Sequence, residues 1–215
     1  MSSVPDHLGL WCQTRTWVPW ESVDDPRPST IQRVVGTRDG VAHFIRTAEH
    51  DRDPHRARRL LAALDVVRSD LSTGRALDFP TMCRWQSHVL GTEYPAFRTG
   101  LAFAKGGRER YGLDDHTQQR FEECLQQADA AAVPLPARAA RAYLDVCFFH
   151  PFEDGNARAA LLALTFVLAR ANVVLDQVGP IQQLSRRADA AEGALELARL
   201  VAVLIHATQR RPSYQ

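Results

Sequence analysis

The segment His150 to Arg158, which reads HPFEDGNAR, is the feature that most constrains this chain. It lies between two apolar helical patterns, Arg141 to Phe149 before it and Ala159 to Ala171 after it. It therefore brings a base, a carboxylate, a glycine turn, an amide and a cation to the start of a buried helix. A helix N-terminus presents unpaired N–H groups and about half a positive charge, so it attracts phosphate. We expect the rest of the chain to support this loop.

The residue types in the loop are typical of a phosphate-transfer site. His150 can accept a proton near neutral pH, as a general base must. Asp154 offers a hard oxygen ligand, suited to a Mg²⁺ ion that bridges phosphates. Gly155 lets the backbone approach a phosphate, and Asn156 adds an amide donor. Arg158 stands in the first helical turn, where a cation opposes the helix dipole, so an anionic partner explains it best.

A purely structural interpretation of the same residues also exists. His150 could cap one helix, Asp154 could cap the next, and Arg158 could pair with a surface carboxylate. Each residue alone fits that interpretation, but all three together between two buried helices favour a functional site. A Walker-type phosphate loop is excluded, because no G-x-x-x-x-G-K-[ST] stretch occurs and the only lysine, Lys105, lies elsewhere.

The composition argues against several classes of protein. Charged residues make up 24% of the 215 residues and the formal net charge is +1, which argues against a nucleic-acid binder that works through bulk charge. The four cysteines form no C-x-x-C pair, so we expect free thiols in a reducing compartment. Neither a signal peptide nor a membrane span is recognisable. We expect a cytoplasmic protein that binds neither nucleic acid nor membrane.

Hydrophobic periodicity and turn residues predict a mostly helical chain with two short hairpins. One hairpin is predicted within Thr30 to Arg46, about an R-D-G turn at 38–40. The second runs from Leu101 to Tyr111 about a glycine turn, and it could be either a plain surface loop or a flap over a site. The predicted helices are Pro54 to Leu71, Thr81 to Val89, one capped by Asp114 or Asp115 that runs to about Ala132, Ala137 to Phe149, Asn156 to Ala171 and Ala188 to Thr208.

The first 50 residues are rich in proline and tryptophan, with Trp11, Trp17 and Trp20 close together. We expect these tryptophans to cover the main core or a partner, and a stacking platform for a base or ligand is the alternative. We therefore divide the chain into an N-terminal extension, 1–50, that packs on the core and a helical domain, 51–215.

The central loop resembles the signature of the Fic (filamentation induced by cAMP) family, H-P-F-x-[DE]-G-N-[GK]-R. The resemblance covers about Tyr94 to Ala171, because Fic domains also place a flap hairpin upstream of the motif and a helix on each side of it. Ala157 departs from the signature, and its seven other defining positions match. The matching residues are His150, Pro151, Phe152, Asp154, Gly155, Asn156 and Arg158.

The resemblance implies an all-α fold: a Fic-type helical bundle with a small β-hairpin flap over the active site. It implies transfer of AMP from ATP, the donor substrate, to a Ser, Thr or Tyr hydroxyl of a target protein. His150 would deprotonate that hydroxyl, and Asp154 would hold Mg²⁺ on the donor phosphates. The flap would align an extended segment of the target by strand-like pairing. The residues that would bind the donor are Gly155, Asn156, Ala157 and Arg158, with Lys105 and Gly106 of the flap.

Three departures from the family pattern bear on function. Ala157 replaces the usual glycine, and a helical position tolerates alanine. Leu161 stands where many relatives carry a second arginine that contacts the far phosphate, so another donor, such as UTP or a phosphocholine donor, or a small-molecule acceptor stays open. The inhibitory pattern [ST]-x-x-x-E-[GN] is incomplete, because Glu192 and Gly193 match but Ala188 lacks the hydroxyl.

Two further matters stay open at this stage. A catalytically silent module that binds nucleotide or protein is the alternative from a different class, and the intact His150 and Asp154 argue against it. An antitoxin or a second copy of the chain is a further candidate partner.

Overall fold

A computed structural model describes residues 4–26, 33–184 and 186–210, and within them the chain is mostly helical, as predicted. The longest helices form one bundle, and the shorter helices lie in the connections between them. None of the described helices is long and apolar enough to cross a membrane. The α-helices are α1 His7–Trp17, α2 Gly40–Phe44, α3 His50–Arg52, α4 Pro54–Ser72, α5 Phe79–Leu90, α6 Thr117–Gln126, α7 Leu135–Phe149, α8 Asn156–Arg170, α9 Gly179–Gln183 and α10 Ala191–Gln209.

Helices α7 and α8 form the centre of the bundle and carry the loop between them. Both are buried nearly all round, and they pack against each other more extensively than any other described pair. Helices α4 and α5 cover α8, and α10 covers α7. The buried apolar side chains form one continuous cluster that includes Trp11, Trp85, Tyr143, Phe149 and Phe166. The loop between α7 and α8 is therefore held at both ends by rigid, buried helices.

The hairpin predicted within Thr30 to Arg46 is wrong; residues 30–32 of that range lie outside the described part of the chain. The short strand β1, Val34–Val35, pairs in parallel with β4, Val173–Val174, directly after α8. Asp39 does not form a turn, because its carboxylate accepts a hydrogen bond from the N–H of Ala42 at 2.9 Å and so caps α2. A π-helical turn, Ile45–Glu49, continues into α3.

The second predicted hairpin is present and forms the flap, which we define as residues 102–111. Strand β2, Ala102–Ala104, pairs antiparallel with β3, Glu109–Tyr111. The turn between them needs left-handed backbone at Lys105 (φ 52°), Gly106 (φ 66°) and Gly107 (φ 83°). Two of these three positions are glycines, which adopt positive φ without steric cost.

Helix α6 is shorter than predicted at both ends. Asp114 does not start the helix, because its carboxylate accepts from the N–H of His116 and the hydroxyl of Thr117, which closes a turn before α6. After Gln126 the chain continues as a 3₁₀ turn, Gln127–Asp129.

The N-terminal helix α1 is fastened to α7 by a buried ion pair. The guanidinium of Arg15 donates from Nε and Nη2 to the two carboxylate oxygens of Asp145, at 2.7 and 2.9 Å. The indole of Trp11 donates to the same carboxylate at 2.9 Å and stacks near Phe148. Trp17, by contrast, leaves 70% of its surface exposed. The division into an extension, 1–50, and a domain, 51–215, stays a prediction.

Candidate active site

The loop between α7 and α8 opens into a cleft with a volume of about 490 Å³. The cleft contains six of the eight predicted site residues, and the other two, Lys105 and Gly106, do not line it. Its walls come from α8 and its preceding loop, from the segment around α3 and α4, from the flap and from the segment around α9. The lining residues are Phe44, Glu49, Arg52, Arg56, Leu60, Phe103, His150, Glu153, Asp154, Gly155, Asn156, Ala157, Arg158, Leu161, Gln182 and Arg186.

His150 ends α7 in a strained conformation that fixes its ring in the cleft. Its backbone is left-handed (φ 47°), which is uncommon outside glycine, and its N–H bonds to the carbonyl of Val146. The ring Nδ1 lies 2.6 Å from the carbonyl oxygen of Cys147, so Nδ1 carries the hydrogen and Nε2 is left as the basic nitrogen. Burial lowers the pKa of His150 to about 4, only partly offset by the bond to Cys147. The ring is therefore neutral, as a general base must be, at neutral pH.

The flap supports the ring of His150 from one side. The ring of Tyr111 stacks on it with centroids 4.1 Å apart and planes inclined by 18°. The hydroxyl of Tyr111 donates to Glu109 at 2.6 Å, and burial together with that carboxylate raises the pKa of Tyr111. The carboxylate of Glu109 also accepts from Lys105 Nζ at 2.8 Å. Lys105 thus stabilises the flap turn and is engaged there.

Phe152 and Asn156 hold the loop in shape. The side-chain oxygen of Asn156 accepts from the N–H of Phe152 at 3.0 Å, and its amide donates to the carbonyl of Phe152 at 2.7 Å. The ring of Phe152 is buried and stacks on Phe79, with centroids 5.4 Å apart. Both polar ends of the Asn156 side chain are therefore bonded within the loop, and its backbone N–H, in the first turn of α8, has no intrahelical partner.

The start of α8 is open toward the cleft. No side chain caps this end, so the first N–H groups of the helix face outward without an intrahelical partner. Gly155 precedes them with φ 77°, and an added Cβ would lie 2.7 Å from the amide nitrogen of Gln86. That amide donates to the carbonyl of Asp154 at 2.6 Å and holds the turn from α5. Glycine is therefore required at 155 by both backbone conformation and space.

Asp154 and Arg158 lie next to each other at the open N-terminus of α8. The Nη2 of Arg158 lies 3.3 Å from a carboxylate oxygen of Asp154, whose side chain remains 66% exposed. Arg158 is the more buried partner; burial lowers its pKa, and Asp154 offsets part of that shift. Such a long, half-exposed pair is weak, so both groups can turn to a charged ligand.

Arg98 is a structural residue of the site that sequence reasoning missed. It is buried, and its guanidinium donates to the carbonyls of Phe149, Gly100 and Gly112, while its N–H bonds to the carbonyl of Pro151. It thereby ties the end of α7 to the two ends of the flap. No local pattern signals this role, because the carbonyls it satisfies are far apart in sequence.

The model of the Fic/DOC family matches residues 76–168 of this chain, which contain the flap, both central helices and the loop between them. This match agrees with the resemblance of the central loop to the Fic signature. A search of curated proteins gave no match.

Solved Fic structures share the fold at low sequence identity. The chain superposes on the IbpAFic2 crystal structure with a TM-score of 0.57 at 14% identity, covering 94% of this chain and 70% of that one. It also superposes on IbpAFic2 covalently tethered to Cdc42, with a TM-score of 0.59 at 12% identity over 92% and 70% of the two chains. A Fic domain containing signaling protein from Bacteroides thetaiotaomicron gives 0.54 at 15% identity, covering 72% and 69%.

The cleft also contains three arginines that were not predicted: Arg52, Arg56 and Arg186. All three lie outside residues 76–168, on the segments around α3, α4 and α9. Leu161 lines the same cleft and is buried, so Arg158 is the one cation that α8 contributes to the cleft lining within the described residues. Glu192 is not among the lining residues, and it pairs with Arg199 at 2.8 Å on the surface of α10.

The residues of the cleft fit a magnesium ion only if a ligand completes its coordination. Within the described residues, no group of three or more His, Cys, Asp or Glu side chains could hold a metal ion. The exposed carboxylate of Asp154 offers one oxygen ligand toward the cleft. Mg²⁺ is often bound by one or two carboxylates together with substrate phosphates, so this donor set fits that mode.

Proposed function

We propose that the chain is a Fic-type transferase that moves AMP from ATP to a hydroxyl side chain of a target protein. The observation that carries the proposal is the position of His150. Its free, neutral Nε2 stands at the cleft that also contains the open N-terminus of α8, Asp154 and Arg158. A base and an anion site within one cleft are the two parts that transfer of a phosphate-containing group to a hydroxyl requires.

In the proposed reaction His150 Nε2 accepts the proton of the acceptor hydroxyl. The acceptor oxygen forms a bond to the α-phosphorus of ATP, and the bond from that phosphorus to the bridging oxygen breaks. Pyrophosphate leaves with the electron pair. The backbone N–H groups at the start of α8 and the guanidinium of Arg158 would stabilise the charge on the phosphates.

The cofactor in this proposal is Mg²⁺, and Asp154 would hold it. Its chemistry, when bound, is to neutralise charge on the donor phosphates. The weak pair between Asp154 and Arg158 would break when the donor enters, which frees both groups for phosphate and metal.

A protein target is favoured by the exposed flap and by the related structures. Phe103 lines the cleft from β2 and leaves 57% of its surface exposed, so an extended segment of a partner would contact it first. IbpAFic2 has been solved covalently tethered to Cdc42, and a variant of it in complex with adenylylated Cdc42. The second candidate keeps the fold and changes the donor or acceptor; Leu161, which lacks the charge of an arginine, is the observation that favours it.

Transfer can be tested with ATP labelled on either the α- or the γ-phosphate. The chain is incubated with Mg²⁺, each donor in turn and a soluble lysate, and products are separated by size. We expect labelled protein bands with the α label and none with the γ label. Labelled small products would favour the second candidate, and retained nucleotide binding without any labelled product would favour a silent binding module.

A further inference from the structure

Arg186 is a half-buried cation of the cleft, and among the described residues no carboxylate lies within ion-pair distance of its guanidinium. Among the described residues its guanidinium makes no hydrogen bond, and its Nη1 atom is buried without a partner. Its only described side-chain contact of note is with the ring of Tyr143, whose centroid lies 4.9 Å from the guanidinium carbon. A cation–π contact leaves the five N–H donors of the group unused.

Other buried guanidiniums in this chain show how unusual that is. Arg15 is satisfied by the carboxylate of Asp145, and Arg98 by three backbone carbonyls. Burying an unpaired charge is costly, so buried cations in proteins are normally paired. Burial lowers the pKa of Arg186, and the nearby Tyr111 and Glu109 offset only part of that shift. The arrangement is that of a site prepared for an anion.

We propose that Arg186 binds the outer phosphates of the donor, an inference that rests on the proposed transfer function. It would thereby replace the cation that α8 lacks at Leu161. The substrate class is a donor with a diphosphate or triphosphate chain, of which Arg158 holds one phosphate and Arg186 another. The leaving pyrophosphate would stay with Arg186 as the bond to the α-phosphorus breaks.

The other cations near the cleft fit this role less well. Lys105 donates to Glu109 and does not line the cleft. Arg52 pairs with Glu49 at 3.0 Å and its side chain is 70% exposed. Arg56 lies 3.5 Å from a carboxylate oxygen of Asp53 and is 59% exposed.

The flap also helps to position Arg186. The Nζ atom of Lys105 donates to the backbone carbonyl of Arg186 at 3.2 Å, in addition to its bond with Glu109. The segment that carries Arg186 is therefore joined to the hairpin that supports His150 through Tyr111. Donor binding and the position of the base are linked by three residues of the flap, Lys105, Glu109 and Tyr111.

The test is calorimetric titration of the full chain with inorganic pyrophosphate, AMP and ATP. The variant is Arg186→Gln, which removes the charge and keeps hydrogen-bonding capacity. The matched control is Arg187→Gln, because Arg187 is the next residue, pairs with Asp189 and is exposed. We expect Arg186→Gln to weaken pyrophosphate and ATP about 10-fold to 100-fold, the loss usual for a charged hydrogen bond. AMP, which lacks the outer phosphates, should change less than about threefold, and the control should change none of the three.

A stability measurement separates an anion site from a structural role. Removing an unpaired buried charge relieves a desolvation cost, so Arg186→Gln should not lower the midpoint of urea unfolding. Unchanged pyrophosphate affinity in the variant, or no pyrophosphate binding by the wild type, would overturn the inference. If α-labelled transfer proceeds while the variant binds like wild type, only the inference fails. If pyrophosphate binds through Arg186 but no transfer occurs, the inference stands and the proposed function fails.

Discussion

The guanidiniums of Arg15 and Arg186 are both at least half-buried, but among the described residues only that of Arg15 is paired with a carboxylate. Arg15 lies between α1 and α7, where both oxygens of the buried Asp145 bind it and Gln127 accepts a further bond at 2.9 Å. Burial alone would lower the pKa of Arg15, but the charge and hydrogen bonds of Asp145 raise it overall. Arg186 lies in the cleft wall, and burial lowers its pKa because no carboxylate of the described residues bonds to it directly, and the nearby Tyr111 and Glu109 offset only part of the shift.

The difference distinguishes a structural cation from one that serves a ligand. A cation that fastens two helices brings its own anion, and the pair is complete in the folded chain. A cation that faces a cleft and is bonded to no anion of the protein is paired instead by an anionic ligand. The same contrast separates Asn156, whose side chain is satisfied within the loop, from the N–H groups of α8, which are left open.

The largest effect is expected at the structural pair. Asp145→Ala leaves the guanidinium of Arg15 and the indole of Trp11 buried without their acceptor. Loss of one partner of a buried pair typically costs about 3–5 kcal/mol. Urea unfolding of Asp145→Ala should show a loss of this size in the free energy of unfolding. The control, Asp129→Ala, removes the exposed pair with Arg170 and should cost under about 1 kcal/mol. Equal losses in the two variants would contradict the contrast.

A smaller loss of stability is expected at the loop itself. Asn156→Ala removes both bonds to the backbone of Phe152 and leaves its buried N–H and carbonyl without partners. A buried polar group left unsatisfied costs about 1–3 kcal/mol. Thermal and urea unfolding should both report this destabilisation, and hydrogen exchange should quicken at the N–H of Phe152. Retained protection at that N–H would mean that another group holds the loop.

Arg186 can be made to resemble Arg15 by supplying a carboxylate. Gln182 also lines the cleft and reaches the hydroxyl of Tyr143, whose ring Arg186 contacts. Gln182→Glu should pair with Arg186 and compete with the donor, which lowers pyrophosphate affinity about tenfold, or about 1.4 kcal/mol. Gln182→Ala is the control and should bind nearly as wild type. Equal affinities of the Glu and Ala variants would show that the guanidinium is not poised for an anion.

A further effect concerns pH and His150, whose Nδ1 bonds to the carbonyl of Cys147 while its Nε2 has no partner among the described residues. Its folded pKa, about 4, lies below its ordinary value near 6.5. The acid limb of kcat/KM should therefore have its midpoint near 4, with the base fully neutral above about pH 6.5. The unfolded chain binds more protons than the folded one between these values, so the contribution of His150 to stability falls as pH drops from about 6.5 to 4. A midpoint near 6.5 would mean that the ring is more solvated than the structure has it.

Much of the fold could be predicted because its signals are local. The long helices have strong apolar patterns, α4, α5 and α7 end within two residues of a glycine or proline, and the flap has a glycine turn between two short strands. The parallel pair of Val34–Val35 with Val173–Val174 could not be predicted. Each strand has two residues, too few for any period, and the partners are far apart in the chain. At Asp39 the sequence predicted a turn, but the residue caps α2 because its carboxylate accepts from the N–H of Ala42.

The candidate site, like the fold, could be predicted only where its residues are close together in sequence. The loop residues are contiguous, so their types alone placed a base, a carboxylate and a cation together. Their catalytic and binding roles stay predictions. Arg186, Arg52 and Arg56 approach the cleft from segments outside the Fic match, and no local pattern indicates them. Leu161 indicated only that α8 lacks the second arginine of many relatives, and nothing in the sequence indicated which segment would bring a cation to the cleft.

The most direct measurement of the central claim is the rate of α-label transfer by His150→Ala. His88→Ala is the matched control, because His88 is exposed on α5 and does not line the cleft. Circular dichroism first establishes that both variants are folded, and calorimetry that both bind ATP like wild type. If His150 is the general base, its variant should transfer label about 10²–10⁴-fold more slowly, while the His88 variant keeps the wild-type rate. A folded His150→Ala that transfers label at nearly the wild-type rate would contradict the proposed mechanism.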